Sequence, residues 1–256
     1  MTNPAAVVGF IGLGTMGSAL SAHLLAAGYQ VTGYDTDPAR LAAHAGRGGL
    51  TAASPAGAAA RADVVVTSLP TASALVDVAA GEAGLASGAR RDLVVIETST
   101  LPVTVKRQAR DALAGRGAVL LDCPLSGTGG QALAGNVVAY LSGPAEAKAR
   151  AVPVLRACTR GVHDVGEFGN GSAVKFIANL LVAIHNVAAA DYSGPGVTTT
   201  VFAKDLEIIA GFATETGTPT PLFALASSFY AAALAQGHAG DDTACVHAVL
   251  RGLAGG

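Results

Sequence analysis

The sequence predicts an α/β fold: a doubly wound, mainly parallel sheet followed by an all-helical C-terminal domain. Three observations predict it. The chain opens with an apolar run that passes through closely spaced glycines into a helical pattern. Strand and helix patterns then alternate to about residue 165. From Ser172 onward only helical periodicity is found. The expected domains are therefore 1–165 and 166–256.

The first strand is expected at 5–12, and Gly9 to Gly17 reads GFIGLGTMG. Within it, Gly12-x-Gly14-x-x-Gly17 carries three separate demands. Gly12 permits a tight turn, Gly14 lets backbone approach a pyrophosphate, and Gly17 lets the helix pack close to the strand. The helix expected over Thr15–Ala27 would present free N–H groups and a positive dipole end to an anion. This is a dinucleotide fingerprint. The next strand, 30–35, ends in Asp35. An acid about 20 residues past the fingerprint suits the ribose hydroxyls. Asp35 would repel a 2′-phosphate, and Thr36 stands where an arginine often greets one. NAD is thus favoured over NADP, with Arg40 near enough in sequence to serve the latter.

Further strands are expected at 63–69, 92–97, 118–122, 136–142 and 162–165. Val64-Val65-Val66 and Leu93-Val94-Val95-Ile96 are continuous apolar runs, as in strands buried on both faces. Ala-rich helices fall between, including Ser54–Ala62, Thr71–Ala80 and Pro102–Ala114. Leu69-Pro70 and Ser99-Thr100 lie at carboxyl ends of strands, where open α/β sheets bind ligands. Asp122 to Gly130 reads DCPLSGTGG, a loop of small residues. Its N–H groups and the Ser126 hydroxyl suit a carboxylate.

Helices are then expected at 172–190, 197–216, 221–236 and 242–253. In the first, Lys175 and Asn179 are i and i+4 and share a face. Ile177, Leu180, Leu181, Ile184 and Val187 form its apolar face. A lysine beside an asparagine, after a glycine run and at the junction of two domains, is the candidate catalytic residue.

Composition narrows the function classes. Hydrophobic residues make up 51% of the 256 and charged residues 13%, which implies a large core or a buried oligomer contact. No run reaches the ~18 apolar residues of a membrane span, and the segment before the glycines reads as a strand, not a signal peptide. A net charge of −2 without a basic cluster argues against a nucleic-acid partner. Cys123, Cys158 and Cys245 lack metal-type spacing and read as small hydrophobes in a reducing, cytoplasmic compartment. His44, His163 and His238 read as surface or loop residues, and His23, His185 and His247 as packed or capped helical ones. No metal site is expected.

Together these segments resemble the β-hydroxyacid dehydrogenase family, whose branches include 3-hydroxyisobutyrate dehydrogenase, tartronate semialdehyde reductase and L-threonate dehydrogenase. The family is related to 6-phosphogluconate dehydrogenase. Phe10 to Leu24 is similar to its N-terminal signature, and Glu97-Thr-Ser-Thr100 to its cofactor-side motif. Asp122 to Gly127 resembles its substrate loop, and Gly169 to Asn179 its catalytic helix. Lys204-Asp205-Leu206 resembles its Lys-Asp-Leu motif, and Gly240 to Ala244 its final acidic segment. The phrase around Lys204 leans towards the threonate branch.

The resemblance implies a Rossmann-type N-terminal domain and NAD(P)-dependent hydride transfer. The substrate would be a small 3-hydroxy (or 2-hydroxy) acid or its semialdehyde or keto partner. It makes Lys175 the general acid/base, and Ser126, Gly127, Thr128 and Asn179 the substrate-binding residues. Gly12, Leu13, Gly14, Thr15, Met16, Gly17, Asp35, Leu69, Pro70, Thr100 and Lys204 would bind the cofactor. A homodimer or homotetramer is implied. Thr128 stands where the family has a second glycine, and near Ala190–Asp191 the family carries several tens more residues. The alternatives are an imine reductase-like enzyme, against which Lys175 argues, and a non-catalytic cofactor-binding family member, against which the Lys175–Asn179 pair argues.

Overall fold

The computed structural model describes residues 7–189 and 198–253. The chain divides into two compact units, Met1–Ala173 and Val174–Gly256.

The first unit runs β1 (Val7–Ile11), α1 (Thr15–Ala26), β2 (Gln30–Tyr34), α2 (Pro38–Ala45), β3 (Leu50–Thr51), α3 (Pro55–Ala59), β4 (Val64–Thr67), α4 (Ala72–Ala80), α5 (Leu85–Gly88), β5 (Val94–Glu97), α6 (Val103–Ala114) and β6 (Val119–Asp122). The six strands form one sheet in the order β3-β2-β1-β4-β5-β6, every pair parallel. That is the doubly wound dinucleotide-binding order, whose ligand crevice lies where the order reverses, beyond the ends of β1 and β4.

The apolar runs explain the sheet. All four residues of β4 and of β5 are buried. Val64, Val66, Val94 and Ile96 enter one core with Leu20 and Leu24 of α1. Val65 and Val95 enter the other, with Leu75, Ala109 and Leu113 of α4 and α6. Alternate residues pointing to opposite faces, both covered by helices, are why no polar alternation marks these strands. Asp37, Ser54 and Thr71 cap α2, α3 and α4 through their side chains.

The chain continues with β7 (Leu125–Ser126), α7 (Gly129–Leu133), β8 (Val138–Leu141), α8 (Ala145–Cys158) and β9 (Gly161–Asp164). The strands expected at 136–142 and 162–165 thus exist but do not extend the main sheet. They form a separate sheet, β7-β8-β9, in which β7 runs antiparallel to β8. Two-residue strands such as β3 and β7 are too short to leave a periodic signal. The expected loop at 122–130 also holds β7 and the start of α7, because Thr128 builds a capping box with Gln131.

α9 (Asn170–Ala189) begins in the first unit and continues into the second. The second unit adds α10 (Thr199–Glu215), α11 (Pro221–Ala235), a 3₁₀ turn (Thr243–Cys245) and α12 (Val246–Leu253), with no strand among its described residues. Its core is aromatic. Phe176 packs edge-on to Phe212 at 5.3 Å and Phe202 to Tyr230 at 5.0 Å, with Ile209, Phe223 and Val246 buried around them. Among the described residues no helix is long and apolar enough to cross a membrane.

Candidate active site

The three fingerprint glycines are required for different physical reasons. Gly12 has φ +88°, and a Cβ there would lie 2.1 Å from the Ser68 carbonyl. A Cβ on Gly17 would lie 1.9 Å from the Gly12 carbonyl. Gly14 differs: its backbone is extended, and a Cβ would meet only Arg40 Nη1, at 3.6 Å. Packing therefore requires glycine at 12 and 17 but not at 14. Gly14 is the N-cap of α1, and no side chain caps that helix. The N–H groups of Thr15, Met16 and Gly17 open the helix with no side-chain cap. These residues fit a pyrophosphate.

Asp35 follows β2 and is buried. Its Oδ2 accepts the Leu13 N–H at 2.7 Å and its Oδ1 the Asp37 N–H at 2.9 Å. Arg40 Nη1 lies 3.5 Å from Oδ2, and Arg40 Nε 3.4 Å from Asp37. The acid thus braces the glycine turn, a role the spacing alone did not reveal. His44 corrects the expectation of a surface residue. It is buried, its Nε2 3.3 Å from the Val31 carbonyl, because Gly33 and Gly49 lack the side chains that would fill its place. Burial lowers its pKa.

At the ends of β4 and β5, Ser99 Oγ accepts the Leu69 N–H at 2.8 Å, and Thr98 Oγ1 donates to the Thr67 carbonyl at 2.6 Å. Leu69, Pro70 and Thr100 therefore follow strands whose ends are tied together. Behind them lies a cluster that sequence reasoning missed. Glu97 and Asp122 are register partners on β5 and β6. Two carboxylates so placed, both fully buried, require a cation. Lys106 of α6 supplies it: Nζ is 2.7 Å from Glu97 Oε2, 2.8 Å from Asp122 Oδ1 and 2.7 Å from the Ser99 carbonyl. The two carboxylates raise the Lys106 pKa against the opposing effect of its burial. Lys106 in turn lowers that of Asp122, likewise against burial. One signal was available: Lys106 shares the buried stripe of α6 with Ala109 and Leu113.

In the segment expected to bind substrate, Ser126 pairs with Val138 across β7 and β8. Gly127 has φ +144°. Thr128 is committed to its helix: its N–H donates to Gln131 Oε1 at 2.8 Å, and its Oγ1 accepts the Gln131 N–H at 3.3 Å. Its backbone donor is thus already used within the protein.

In the second unit Lys175 and Asn179 are both buried, at 8% and 7% exposure. Asn179 Nδ2 donates to Asp205 Oδ2 at 2.8 Å, and Lys204 Nζ lies 3.2 Å from Asp205 Oδ1. Burial lowers the Lys175 pKa; the Asp205 charge opposes that and the Lys204 charge adds to it. Of the expected apolar face, Ile177 is 57% exposed, and the other four side chains lie outside those described. Among the described side chains of α9, which end at Asn179, Ser172, Lys175, Phe176 and Asn179 form a buried stripe at i, i+3, i+4 and i+7.

The sheet order, the uncapped α1 and the buried acid define a dinucleotide-binding domain. Comparison with known proteins gives the family. Residues 7–166 match the NAD binding domain of 6-phosphogluconate dehydrogenase. The chain is 31% identical to an L-threonate dehydrogenase of Cupriavidus necator, over 96% of each protein. It is 28% identical to the mitochondrial 3-hydroxyisobutyrate dehydrogenase of Mus musculus, over 95% of this chain and 87% of the relative. A solved structure of Mycobacterium tuberculosis 3-hydroxyisobutyrate dehydrogenase with L-serine matches with a TM-score of 0.87 at 26% identity, covering 96% of this chain and 99% of that one. The chain belongs to the β-hydroxyacid dehydrogenase family, oxidoreductases built on this NAD-binding domain. Its alignment with the threonate enzyme spans 286 positions, more than the 256 residues available, so this chain faces gaps in it. The shortening expected near Ala190–Asp191 lies outside the described residues.

Proposed function

We propose that this protein catalyses reversible hydride transfer between NAD and a small 3-hydroxy (or 2-hydroxy) acid, with Lys175 as the general acid/base. Residues 1–165 would bind the cofactor and 166–256 would serve substrate binding and assembly as a homodimer or homotetramer. One observation carries the reading: a lysine on the chain's junction helix is buried at 8% exposure, and its burial disfavours the ammonium form. A neutral Nζ can accept the substrate hydroxyl proton during oxidation; the ammonium returns it during reduction. Asn179, its amide nitrogen held by Asp205, keeps its carbonyl oxygen in a fixed direction to orient that hydroxyl. The Ser126–Gly127 backbone would hold the carboxylate, and Thr128 would line the same substrate site.

Gly12, Leu13, Gly14, Thr15, Met16, Gly17, Asp35, Leu69, Pro70, Thr100 and Lys204 would hold the cofactor, which when bound supplies the hydride acceptor or donor. NAD is favoured because the Asp35 carboxylate would repel a 2′-phosphate; Arg40, 3.5 Å from that carboxylate, is the group that would serve NADP. The names of the relatives and their reported partners, threonate, 3-hydroxyisobutyrate and serine, support short polar acids as the substrate class. The test is NADH formation against a panel of small hydroxy acids, with NADP as the alternative cofactor. Turnover of at least one such acid is expected. Absence of turnover across the panel with either cofactor refutes the reading.

A further inference from the structure

Lys175 can act only if the helix that carries it starts in the right place. The start of α9 is held unusually. Its second and third residues, Gly171 and Ser172, have N–H groups without intrahelical partners, as in any first turn. Here no neighbouring loop residue caps them; side chains far away in sequence do. Ser142 Oγ accepts the Gly171 N–H at 3.0 Å, and Asp122 Oδ2 accepts the Ser172 N–H at 2.8 Å. The Ser172 hydroxyl donates to Asp122 Oδ1, also at 2.8 Å. Gly171 is pressed so closely on this anchor that a Cβ there would lie 2.5 Å from the Tyr140 carbonyl and 2.8 Å from that of Asp122.

The anchor is rigid for an electrostatic reason. The Asp122 carboxylate is fully buried and takes donors from Lys106, Ser172 and Ser142. Lys106 is locked in turn between Glu97 and the Ser99 carbonyl. A buried anion at the positive end of a helix is favoured, and a carboxylate with four satisfied contacts has no other geometry to adopt.

We propose that Asp122 is a positioning residue for catalysis: through Ser172 it fixes the first turn of α9 and so the origin from which Lys175, three residues on, projects. The inference rests on the reading of Lys175 given above. The Lys106–Glu97 pair keeps the anchor charged and immobile. It ties the ends of β5 and β6 to the first turn of α9.

The test compares Asp122→Asn, Ser172→Ala and Ser172→Thr in the full chain. An asparagine keeps one acceptor oxygen, with two lone pairs, and so cannot take all four donors. Small misplacements of a catalytic group cost up to about 100-fold in rate. We expect kcat to fall about tenfold in Ser172→Ala and up to about 100-fold in Asp122→Asn. The NADH dissociation constant, read by cofactor fluorescence, should stay within about twofold, and Ser172→Thr, which keeps the hydroxyl, should recover most of kcat. Amide exchange over 171–175 should speed up in the two damaged variants. A purely structural role would lower thermal stability and leave kcat of the folded enzyme intact. Wild-type kcat in folded Ser172→Ala and Asp122→Asn overturns the proposal, and Ser172→Ala decides alone if Asp122→Asn does not fold. If the wild-type protein turns over no hydroxy acid, the proposed function fails. Exchange at 171–175 then still tests the anchor, and an unchanged rate there overturns it.

Discussion

Replacing Lys106 by methionine should turn the pH dependence of stability around. Lys106 Nζ is within 2.8 Å of Glu97 Oε2 and Asp122 Oδ1 and 2.7 Å from the Ser99 carbonyl, with all three side chains fully buried. Methionine keeps most of the volume and removes the charge. Glu97 and Asp122, register partners on adjacent strands, then face each other without a cation. Removing one partner of a buried ion pair costs about 3–5 kcal/mol, and two stranded carboxylates place this change at the upper end. Against a total stability of roughly 5–15 kcal/mol, that is a large fraction.

The sign follows from linkage. In the wild type, the folded-state pKa of Asp122 lies below its unfolded value. Its contribution is present at neutral pH and is lost as pH falls through the folded value. Lys106 has a raised folded pKa, so its contribution is complete at neutral pH and is lost only at strongly alkaline pH. In Lys106→Met the carboxylates repel, and at least one folded-state pKa rises above its unfolded value. Relative to the wild type, the variant should therefore gain stability from about pH 7 to about pH 5; the lowered His44 pKa acts on both proteins alike and cancels in the difference. The chain has no tryptophan, so urea unfolding would be followed by far-ultraviolet circular dichroism. Adding Glu97→Gln to Lys106→Met should recover part of the loss. A loss under about 1 kcal/mol, or a difference from the wild type that does not narrow on acidification, would refute the claim that this cluster is a charged, water-excluded unit.

Three further outcomes are expected. Lys175→Ala should lower turnover by about 10²–10⁴-fold with NADH binding nearly intact; retention of more than a few percent of activity removes Lys175 from the chemistry. The rate of hydroxy-acid oxidation should rise with pH through a Lys175 pKa below the ordinary lysine value. Asp205→Asn should move that rise to still lower pH, because the carboxylate that favours the ammonium is gone while Lys204 remains; a rise that stays put shows that another group titrates. Gly14→Ala should keep the wild-type melting temperature yet weaken NADH binding at least about tenfold, since its Cβ meets little within the protein but intrudes on the ligand's approach. Gly17→Ala, with a Cβ 1.9 Å from a carbonyl, should lose both, and equal melting temperatures for the two variants would contradict the division of labour among the glycines.

Much of the fold was legible because the sheet is buried on both sides. Runs such as Val64-Val65-Val66 admit few other readings when glycine turns and helical patterns flank them. The glycine fingerprint was legible because a tight turn and close packing exclude side chains at Gly12 and Gly17. What stayed hidden depends on pairing across the sheet. The separate β7-β8-β9 sheet, the Glu97–Asp122 register and the bracing of Leu13 by Asp35 are tertiary facts, and single-strand periodicity carries no register. Thr128 shows a local signal passed over: Thr-x-x-Gln is a capping box, and it starts a helix where a loop was expected.

The errors in side-chain placement share a cause. Amphipathic reasoning assigns polar residues to solvent and apolar ones to the core. Ile177 was expected inside and is exposed; Lys106 had no expected role and is fully buried. Among the described side chains of α9 the buried stripe is mostly polar, with Ser172, Lys175 and Asn179 beside Phe176. Burying such groups costs free energy unless each finds a partner. Ser172 has Asp122, Lys106 has two carboxylates, and Asn179 has Asp205. Lys175 is the exception in kind: its burial is only partly offset by the Asp205 charge, and its pKa falls. On the first turns of α9 the fold gives Ser172 and Asn179 hydrogen-bonded partners and leaves the Lys175 ammonium only partly compensated. That is what a reversible acid/base requires, and it explains why the apolar rule fails where the proposed chemistry lies.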